Sequence, residues 1–415
     1  MIMKKIKISL PVQILIAMVL GVLYGIFLTD YTSYISWAGD IFLRLLKMIV
    51  VPIVFSSMIV GVAGIGNTGG LGRIAGKTFT FYIVTTLVAT FIGLVLVNTI
   101  QPGVGSTMLN NTDASSHLAV ANKTSLGQQI INIVPSNIFE DLSKGNLLSI
   151  IFFAILFGFF ITKAEEKYRT TLLNFFDAAF NVIMKITLAI IKLAPIGVFS
   201  IVAKMIGQQA GDPQKLASMA GSLGLFLLII WVGCMIHFFI VLPSAVYFIG
   251  KENPWKHMKK MSTAILTAFS TCSSGAALPI SMKDSQEKCG ISNRIASFTL
   301  PLGATVNMNG TALYECVAVI FIAQVYGVEM TLVEQLIVVF TVLLSAIGAA
   351  SIPMAGLVML SVALTVAGLP LEGVGLVLAI EQLCDMPRTA TNSYGDMCAA
   401  LVIAKSEGEK LTINE

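Results

Sequence analysis

The amino-acid sequence predicts an all-α, polytopic membrane protein that contains two re-entrant helical hairpins related as inverted repeats. Three observations lead to this fold class. Hydrophobic residues make up 56% of the chain and charged residues only 12%, with a mean hydropathy of +0.87, whereas soluble domains contain about 25% charged residues. Apolar stretches long enough to cross a bilayer recur through the first part of the chain. Two runs of small residues ending in proline then interrupt the apolar sequence of the second part.

Windows of about 20 apolar residues place a series of membrane spans before the first interrupted run. The predicted spans are residues 10–29, 41–65, 78–100, 126–163, 171–205 and 218–249. The first follows a basic N-terminus, but it is long enough to span and lacks a small-residue cleavage site. We therefore expect a membrane helix there rather than a signal peptide.

Basic residues are concentrated in alternate connections between these spans, on the same side as the N-terminal lysines. By the positive-inside rule, that side is the cytoplasm. We expect a multi-pass protein of a bacterial inner membrane, in contact with membrane lipid, with both termini in the cytoplasm. The net charge of +4 is small and the basic residues lie in short loops, which argues against a nucleic-acid partner.

The two interrupted runs are residues 270–279 and residues 345–353. Each consists of small residues followed by an aliphatic residue and a proline, and the two recur in corresponding positions. Such a pair is typical of inverted-repeat transporters whose binding site lies near the middle of the membrane. Exposed backbone at that depth is tolerated only where it lines a cavity or is buried in protein, so the tips are expected to contact ligands. The alternative is close helix packing through small residues.

A polar stripe runs along the last apolar segment. Counted from Glu381, the residues Asp385, Arg388, Asn392 and Asp396 follow at steps of four, seven, eleven and fifteen, which places them on one face of a helix. A charged side chain at the bilayer centre costs about 2.5–3.5 kcal/mol, so this face is expected to meet protein, ligand or water. The stripe predicts a binding site for charged solutes. The alternative is an internal Asp385–Arg388 ion pair that merely allows the helix to be buried.

A second polar interruption lies between the two runs, where Asn307, Asn309 and Gly310 break an apolar span. A helix is expected to unwind there and free its carbonyl groups. Hard cations bind such oxygen atoms. Together with the side-chain oxygens of Asp396 and Asn392, the unwound carbonyls predict an alkali-ion site.

These residues resemble the glutamate transporter family, also called dicarboxylate/amino acid:cation symporters, and in particular its prokaryotic members. The resemblance covers nearly the whole chain, including residues 42–52 and 132–137. It is most specific in both interrupted runs, in the Asn-Met-Asn-Gly-Thr motif at residues 307–311, and in residues 385–396. It implies a homotrimer with eight transmembrane helices and two re-entrant hairpins, in which a transport domain moves like an elevator against a static scaffold.

The resemblance also implies a domain organisation. The scaffold would contain residues 1–75 with helices 1 and 2, and residues 126–213 with helices 4 and 5. The transport domain would contain helix 3 with an extracellular loop in residues 76–125, helix 6 in residues 214–257, and a core in residues 258–415. That core would hold hairpin 1, helix 7, hairpin 2 and helix 8.

Substrate contacts carry over from the family motif by motif. Arg388 would bind the side-chain carboxylate of an acidic amino acid, as suits a planar guanidinium that stays charged when buried. Asp385 would bind the substrate ammonium. The remaining substrate contacts would be Thr389, Asn392, Thr311, Ser273, Ser274, Ala350 and Gly356.

Sodium is the coupling ion that the resemblance implies, and no cofactor is expected. Asp396, Asn392 and Asn307, with the carbonyl of Gly303, match one cation site. The carbonyls of Thr305 and of the second hairpin match another. A third would use Tyr82, Thr85, Thr86 and Asn309, but the family usually has aspartate at the last position. An amide removes a negative charge, which weakens the case for a third cation.

Glu315 stands where mammalian members have a proton-carrying glutamate and an archaeal member has glutamine. A carboxyl group in a low-dielectric site can take up and release a proton, so Glu315 is the candidate for proton coupling. Cys272 and Met386 occupy the two positions where different branches have an additional arginine. Potassium counter-transport is therefore not assigned.

An enzyme is not expected. An intramembrane aspartyl protease needs two aspartates on separate helices, whereas Asp385 and Asp396 lie on one. A serine hydrolase built on Ser273 or Ser274 has no base nearby, because the three histidines lie elsewhere in the predicted topology. A passive channel is disfavoured, since oppositely charged groups suit binding and release rather than free conduction.

The predicted function is a secondary active symporter that takes up L-aspartate or L-glutamate with sodium, and with protons as a second candidate coupling ion. Two alternatives of the same fold remain. A proton-coupled C4-dicarboxylate symporter has no substrate ammonium for Asp385 to bind. A neutral amino acid symporter has no need of Arg388.

Overall fold

The computed structural model describes residues 10–65, 72–106, 131, 134–208, 212–346 and 355–414, and the regular elements in these ranges are all helices. The all-α prediction is therefore confirmed for this part of the chain. Most of the second interrupted run lies outside the described residues, and with it Ala350.

Seventeen α-helices follow one another along the described chain, with 3-10 turns at Thr29–Tyr31 and Leu371–Gly373. The helices are α1 (Leu10–Phe27), α2 (Thr32–Ile65), α3 (Gly72–Ile100), α4 (Ile138–Lys144), α5 (Leu147–Ile161), α6 (Glu166–Ile191), α7 (Ala194–Gly207), α8 (Pro213–Ile236), α9 (Leu242–Phe248), α10 (Pro254–Thr271), α11 (Ser274–Glu287), α12 (Asn293–Val306), α13 (Asn309–Val325), α14 (Leu332–Ala346), α15 (Ala355–Val366), α16 (Val374–Leu378) and α17 (Glu381–Ser406).

Five stretches of the described residues are long and apolar enough to cross a membrane, judged by length and composition. They are Thr29–Ala63, Gly72–Ile100, Glu166–Ile191, Gln214–Phe248 and Asn293–Val325, and shorter apolar helices cover Val12–Phe27, Ser149–Ile161, Ala194–Gly207 and Leu332–Ala346. Each of the five longer stretches has the roughly 20 residues that a membrane-spanning helix needs. The multi-pass character predicted from the hydropathy is therefore confirmed.

The second, fourth and fifth predicted spans differ most from the structure. The second begins at Thr32 rather than at residue 41. In the predicted span 126–163, α4 ends at Gly145, whose φ of +72° suits glycine, and α5 begins two residues later. The predicted span 171–205 is divided between α6 and α7, with Pro195 in the first turn of α7, where its missing N–H breaks no hydrogen bond of the helix.

The first interrupted run forms a helical hairpin between α10 and α11. Cys272 adopts a left-handed conformation with φ of +51°, which ends α10. Ser273 is extended, and its hydroxyl accepts a hydrogen bond from the Ala276 amide at 3.2 Å, which caps α11. Pro279 lies inside α11 rather than at the end of the loop. The predicted chain reversal is present, with its second helix starting earlier than the proline.

The asparagine-rich interruption separates α12 from α13, as predicted. Asn307 (φ −92°, ψ 81°) and Met308 (φ −108°, ψ 51°) leave the helical region of backbone conformation. Both residues are buried, and so are half of α12 and almost all of α13. The unwound link therefore lies inside protein, where irregular backbone is tolerated at membrane depth.

The last helix, α17, lies in the interior of the molecule and packs against α3, α8 and α10–α13. All residues from 387 to 404 are buried, including the polar ones. One apolar cluster joins α2, α5, α7, α8 and α13, and a second joins α9, α10, α12 and α17. The polar stripe thus faces protein rather than lipid, as its insertion cost predicts.

Candidate functional site

The guanidinium of Arg388 lies at the centre of the polar stripe and is 1% exposed. Its Nη2 donates to Glu381 at 2.7 Å and to Asp385 at 2.8 Å, and its Nε donates to Asp385 at 3.2 Å. These residues come together because they are three and seven positions apart on one helix. The internal Asp385–Arg388 ion pair considered as an alternative is therefore present, with a second carboxylate beside it.

Tyr314 and the backbone of α15 approach Arg388 on its remaining sides. Its Cζ lies 4.4 Å from the centre of the Tyr314 ring, so that one face of the guanidinium stacks on an aromatic side chain. A Cβ at Gly356 would lie 2.5 Å from Nη1, which shows that the backbone of α15 approaches this atom closely. Among the described residues, Nη1 has no hydrogen-bond partner. Buried donors are nearly always paired, so this one is a candidate to bind a ligand oxygen.

Thr389 completes the group around Asp385 by donating its hydroxyl to the same carboxylate oxygen at 3.0 Å. The tip of the first hairpin lies nearby, since Gln382 on α17 donates its amide to the Cys272 sulfur at 3.0 Å. Ser274 is 6% exposed. The structure thus brings three predicted substrate contacts, Asp385, Arg388 and Thr389, into one group with the hairpin next to it.

A second group lies around Asp396. Its Oδ1 accepts from the Asn307 amide at 2.8 Å, and the same amide contacts the Asn392 carbonyl at 3.3 Å. The Asn307 Oδ1 is buried and has no hydrogen-bond partner among the described residues. A Cβ at Gly303 would overlap Asp396 and Tyr82, so only glycine fits there. Carboxylate and amide oxygens around an unwound helix are suitable ligands for a hard cation.

Asn392, on α17, forms hydrogen bonds with residues just after the unwound link between α12 and α13. Its Oδ1 accepts from the Gly310 amide at 2.7 Å, and its Nδ2 donates to the Thr311 hydroxyl at 3.0 Å. A Cβ at Gly310 would lie 2.5 Å from the Arg388 carbonyl, which explains the glycine at this position. Asn392 therefore connects the group around Arg388 with the group around Asp396.

The residues predicted for a third cation are only partly brought together. The Thr86 hydroxyl donates to Asn309 Oδ1 at 2.7 Å. Tyr82 donates to the Thr299 carbonyl at 2.9 Å, and Thr85 donates to the Phe81 carbonyl at 2.8 Å. Two of the predicted side chains are thus bonded to backbone instead of facing Asn309.

Thr305, predicted to supply a backbone carbonyl to a cation, carries an exposed side chain that donates to the Leu302 carbonyl at 3.0 Å. No group of three or more His, Cys, Asp or Glu side chains that could hold a metal ion occurs in the part of the chain that the structure describes. The oxygen atoms near Asp396 belong to amide, carbonyl and carboxylate groups, which are hard ligands.

Glu315 is fully buried on α13. Its Oε2 accepts from the Ser345 hydroxyl at 3.2 Å, and its Oε1 has no hydrogen-bond partner among the described residues. Ser345 belongs to α14, which ends where the described residues stop within the second interrupted run. The carboxyl group therefore joins α13 to α14.

Sequence reasoning assigned no role to Glu381 or Tyr314, although both contact Arg388. Glu381 had a visible signal, because it stands two helical turns before Arg388 on the same stripe. Tyr314 gave no such signal, since an aromatic residue in an apolar span more often packs in the core. Only the pairing of α13 with α17 brings its ring over the guanidinium.

Comparison with known proteins gives consistent matches along the chain. The model of the sodium:dicarboxylate symporter family matches residues 10–406. The chain is 36% identical to a proton/sodium-glutamate symport protein of Bacillus caldotenax over 97% of this chain and 96% of that protein. It is 35% identical to a proton/glutamate-aspartate symporter of Escherichia coli (98% and 94%) and 31% identical to a C4-dicarboxylate transport protein of Bacillus subtilis (97% and 94%).

Proposed function

Because the chain belongs to the sodium:dicarboxylate symporter family, we propose that it is a secondary symporter that takes up L-aspartate or L-glutamate together with sodium. It is a transporter and not an enzyme. Relatives described as glutamate or glutamate-aspartate symporters match almost the whole of this chain. This supports an acidic amino acid as the substrate class.

The observation that carries the proposal is the buried Arg388, whose Nη1 has no partner in the described residues. A carboxylate can accept two parallel hydrogen bonds from a guanidinium, and arginine keeps its charge in a buried site. The Tyr314 ring and the backbone at Gly356 restrict the approach to this atom. Arg388 would therefore bind the side-chain carboxylate of the substrate.

Asp385 would bind the substrate ammonium, because it presents a carboxylate beside the same guanidinium. Thr389, Thr311 and Asn392 would supply further hydrogen bonds, with Ser273 and Ser274 from the first hairpin and Ala350 and Gly356 from the second. A guanidinium beside a carboxylate matches an amino acid better than a dicarboxylate. The C4-dicarboxylate alternative nevertheless has support, since one relative carries that description.

Sodium would bind beside Asp396, where Asn307 Oδ1 is a buried acceptor without a donor in the described residues. Asn392 and the Gly303 carbonyl would complete that site. A further ion would use the carbonyls of Thr305 and the second hairpin. The Thr86–Asn309 contact offers oxygens near Tyr82 and Thr85 but no carboxylate, so a third sodium would bind weakly there.

Glu315 would carry a proton, because it is buried, forms no ion pair among the described residues, and accepts a hydrogen bond from Ser345 near the end of α14. Protonation of Glu315 and the position of α14 would therefore be linked.

The mechanism would be of the elevator type in a homotrimer, with residues 1–75 and 126–213 as the scaffold. The transport domain would contain residues 76–125, 214–257 and 258–415. The two interrupted helical segments support this organisation. Three of its boundaries fall inside α3, α8 and α10, so we place them at the first residues of these helices, Gly72, Pro213 and Pro254.

Accumulation of radiolabelled L-aspartate in liposomes that contain the purified protein tests the proposal. An inward sodium gradient is compared with an inward proton gradient in the absence of sodium, and unlabelled succinate and L-serine are tested as competitors. We expect L-aspartate to accumulate under the sodium gradient. Unlabelled L-glutamate should suppress this accumulation, whereas succinate and L-serine should not. Suppression by succinate alone would establish the dicarboxylate alternative, and suppression by L-serine the neutral amino acid alternative.

A further inference from the structure

A groove lies at the lysine-rich end of the apolar span formed by α8 and α9, remote from the polar stripe. A π-helical turn at His237–Val241 joins these two helices. The groove has a volume of about 820 Å³. Its apolar wall includes Phe239, Ile240, Pro243, Tyr247 and Phe248, and α10 closes it on the other side with Trp255. Nothing in the proposed transport reaction uses this groove.

The aromatic side chains of the groove are strongly exposed. Tyr247 is 60%, Phe248 72% and Trp255 58% exposed. Exposed aromatic residues at the end of an apolar span are typical of the zone between the hydrocarbon and the headgroups of a bilayer. The apolar wall therefore faces acyl chains, and the loop after Phe248 lies at headgroup depth.

The charge of the groove is positive. Lys251 lines it, is exposed, and forms no ion pair within the described ranges. Glu252 is the acidic residue of the lining, but it is 7% exposed and already paired, with Lys405 at 2.8 Å and the Asn414 amide at 2.9 Å. Lys256 adds a cation at the same end and donates to the Asn414 carbonyl at 3.0 Å. Within the lining of the groove, Lys251 is therefore the residue left to attract an anion.

The geometry points to a binding site for one anionic phospholipid, with its phosphate at Lys251 and an acyl chain along the wall of Phe239, Ile240 and Tyr247. A small soluble anion would leave most of this wall exposed to water, whereas an acyl chain covers it. A zwitterionic lipid would cover the wall but gain little from Lys251. Basic pockets between membrane helices on the cytoplasmic side are suited to anionic headgroups, and the positive-inside rule places this end there.

Trp255 is a built-in reporter, because the chain has only three tryptophans. Replacing Trp37 and Trp231 by phenylalanine leaves Trp255 as the sole source of tryptophan fluorescence. This protein is placed in phosphatidylcholine nanodiscs with rising fractions of brominated phosphatidylglycerol or, separately, brominated phosphatidylcholine. Bromine quenches tryptophan only at short range.

We expect half-maximal quenching at about a fivefold lower fraction of brominated phosphatidylglycerol than of brominated phosphatidylcholine. The attraction between one lysine and an anionic headgroup corresponds to about this factor. Lys251→Gln should remove most of this difference and Lys251→Arg should preserve it. Lys283→Gln, an exposed lysine of α11, is the matched control and should change nothing. Equal quenching by both lipids, or an unchanged preference in Lys251→Gln, would overturn the proposal.

Two further outcomes would also overturn it. Recovery of fluorescence on addition of soluble glycerol 3-phosphate would indicate a free-phosphate site, and absence of quenching by either lipid would show that protein covers Trp255. Native mass spectrometry of the otherwise unmodified full chain gives a second measurement that does not depend on the tryptophan substitutions. More phosphatidylglycerol should remain bound to the unmodified chain than to Lys251→Gln, and equal retention would contradict the site.

Discussion

Arg388 and Glu381 lie two turns apart on α17 and form an ion pair of 2.7 Å in which each side chain is 1% exposed. Asp385 contacts the same guanidinium at 2.8 Å. The arginine proposed to bind the substrate is therefore shared with two carboxylates of its own helix. A substrate carboxylate has to compete with Glu381 for this guanidinium.

Glu381→Gln should increase the affinity for L-aspartate, because it removes a negative charge that competes for Arg388. An interaction of about 1 kcal/mol corresponds to about a fivefold lower KM. The melting temperature should fall, since one carboxylate of a buried ion pair is lost. Uptake kinetics and thermal melting of the same preparation measure both effects. The exposed Glu329→Gln is the control, and a raised KM in Glu381→Gln would contradict the competition.

Asn309→Asp should increase the apparent affinity for sodium. Asn309 accepts the Thr86 hydroxyl at 2.7 Å, and a carboxylate there would add the negative charge that a cation site lacks. We expect the sodium concentration for half-maximal uptake to fall about fivefold or more, an interaction of about 1 kcal/mol. Asn98→Asp, on the helix of Thr86 and paired with Gln335, is the control. An unchanged sodium dependence would remove Asn309 from the cation sites.

Glu315→Gln should abolish uptake driven by a proton gradient while uptake driven by sodium continues. The amide keeps the size of the side chain and the contact with Ser345 but cannot exchange a proton. Uptake of L-aspartate at a series of external pH values, with and without sodium, measures the two components separately. The exposed Glu329→Gln serves as the matched control. Persistence of proton-driven uptake in Glu315→Gln would assign proton coupling to another group.

Glu407, which follows α17, should stabilise the protein in a pH-dependent way. Its carboxylate accepts hydrogen bonds from Arg73 and Lys77, which lower its pKa from the usual 4.5 to about 2. A lowered pKa means that the stabilisation is complete above about pH 4.5 and is lost as the pH falls through 2. The unmodified protein should melt above Glu407→Gln at pH 7, and the difference should be smaller at pH 3, where protonation removes part of the stabilisation.

Lys77→Gln removes one of the two partners of Glu407. Its melting temperature should depend on pH in the same direction as that of the unmodified protein, but less strongly. A difference between the unmodified protein and Glu407→Gln that grows on acidification would contradict the assigned pKa shift.

The features that the sequence predicted well are those that depend on local periodicity and local backbone chemistry. The stripe from Asp385 to Asp396 needed only the 3.6-residue period of a helix. The link at Asn307 and the turn at Cys272 were marked by residues that favour unwinding. Both predictions rest on residues that are neighbours in the chain and need no knowledge of the segments that pack against them.

The features that sequence reasoning missed depend on contacts between distant segments or on short breaks. Hydropathy averaged over about 20 residues cannot locate the two-residue break before Ala194. The ring of Tyr314 meets Arg388 only because α13 packs on α17. The bonding of Tyr82 to the Thr299 carbonyl likewise needs the position of α12.

The central claim is that Arg388 recognises the side-chain carboxylate of an acidic amino acid. Uptake of radiolabelled L-aspartate and L-asparagine by liposomes containing Arg388→Gln tests it most directly, because these substrates differ only in that group. The exposed Arg294→Gln is the matched control. We predict that Arg388→Gln loses L-aspartate uptake by about 100-fold or more, while L-asparagine uptake is unchanged or increased. Undiminished L-aspartate uptake by correctly inserted Arg388→Gln protein would contradict the assignment.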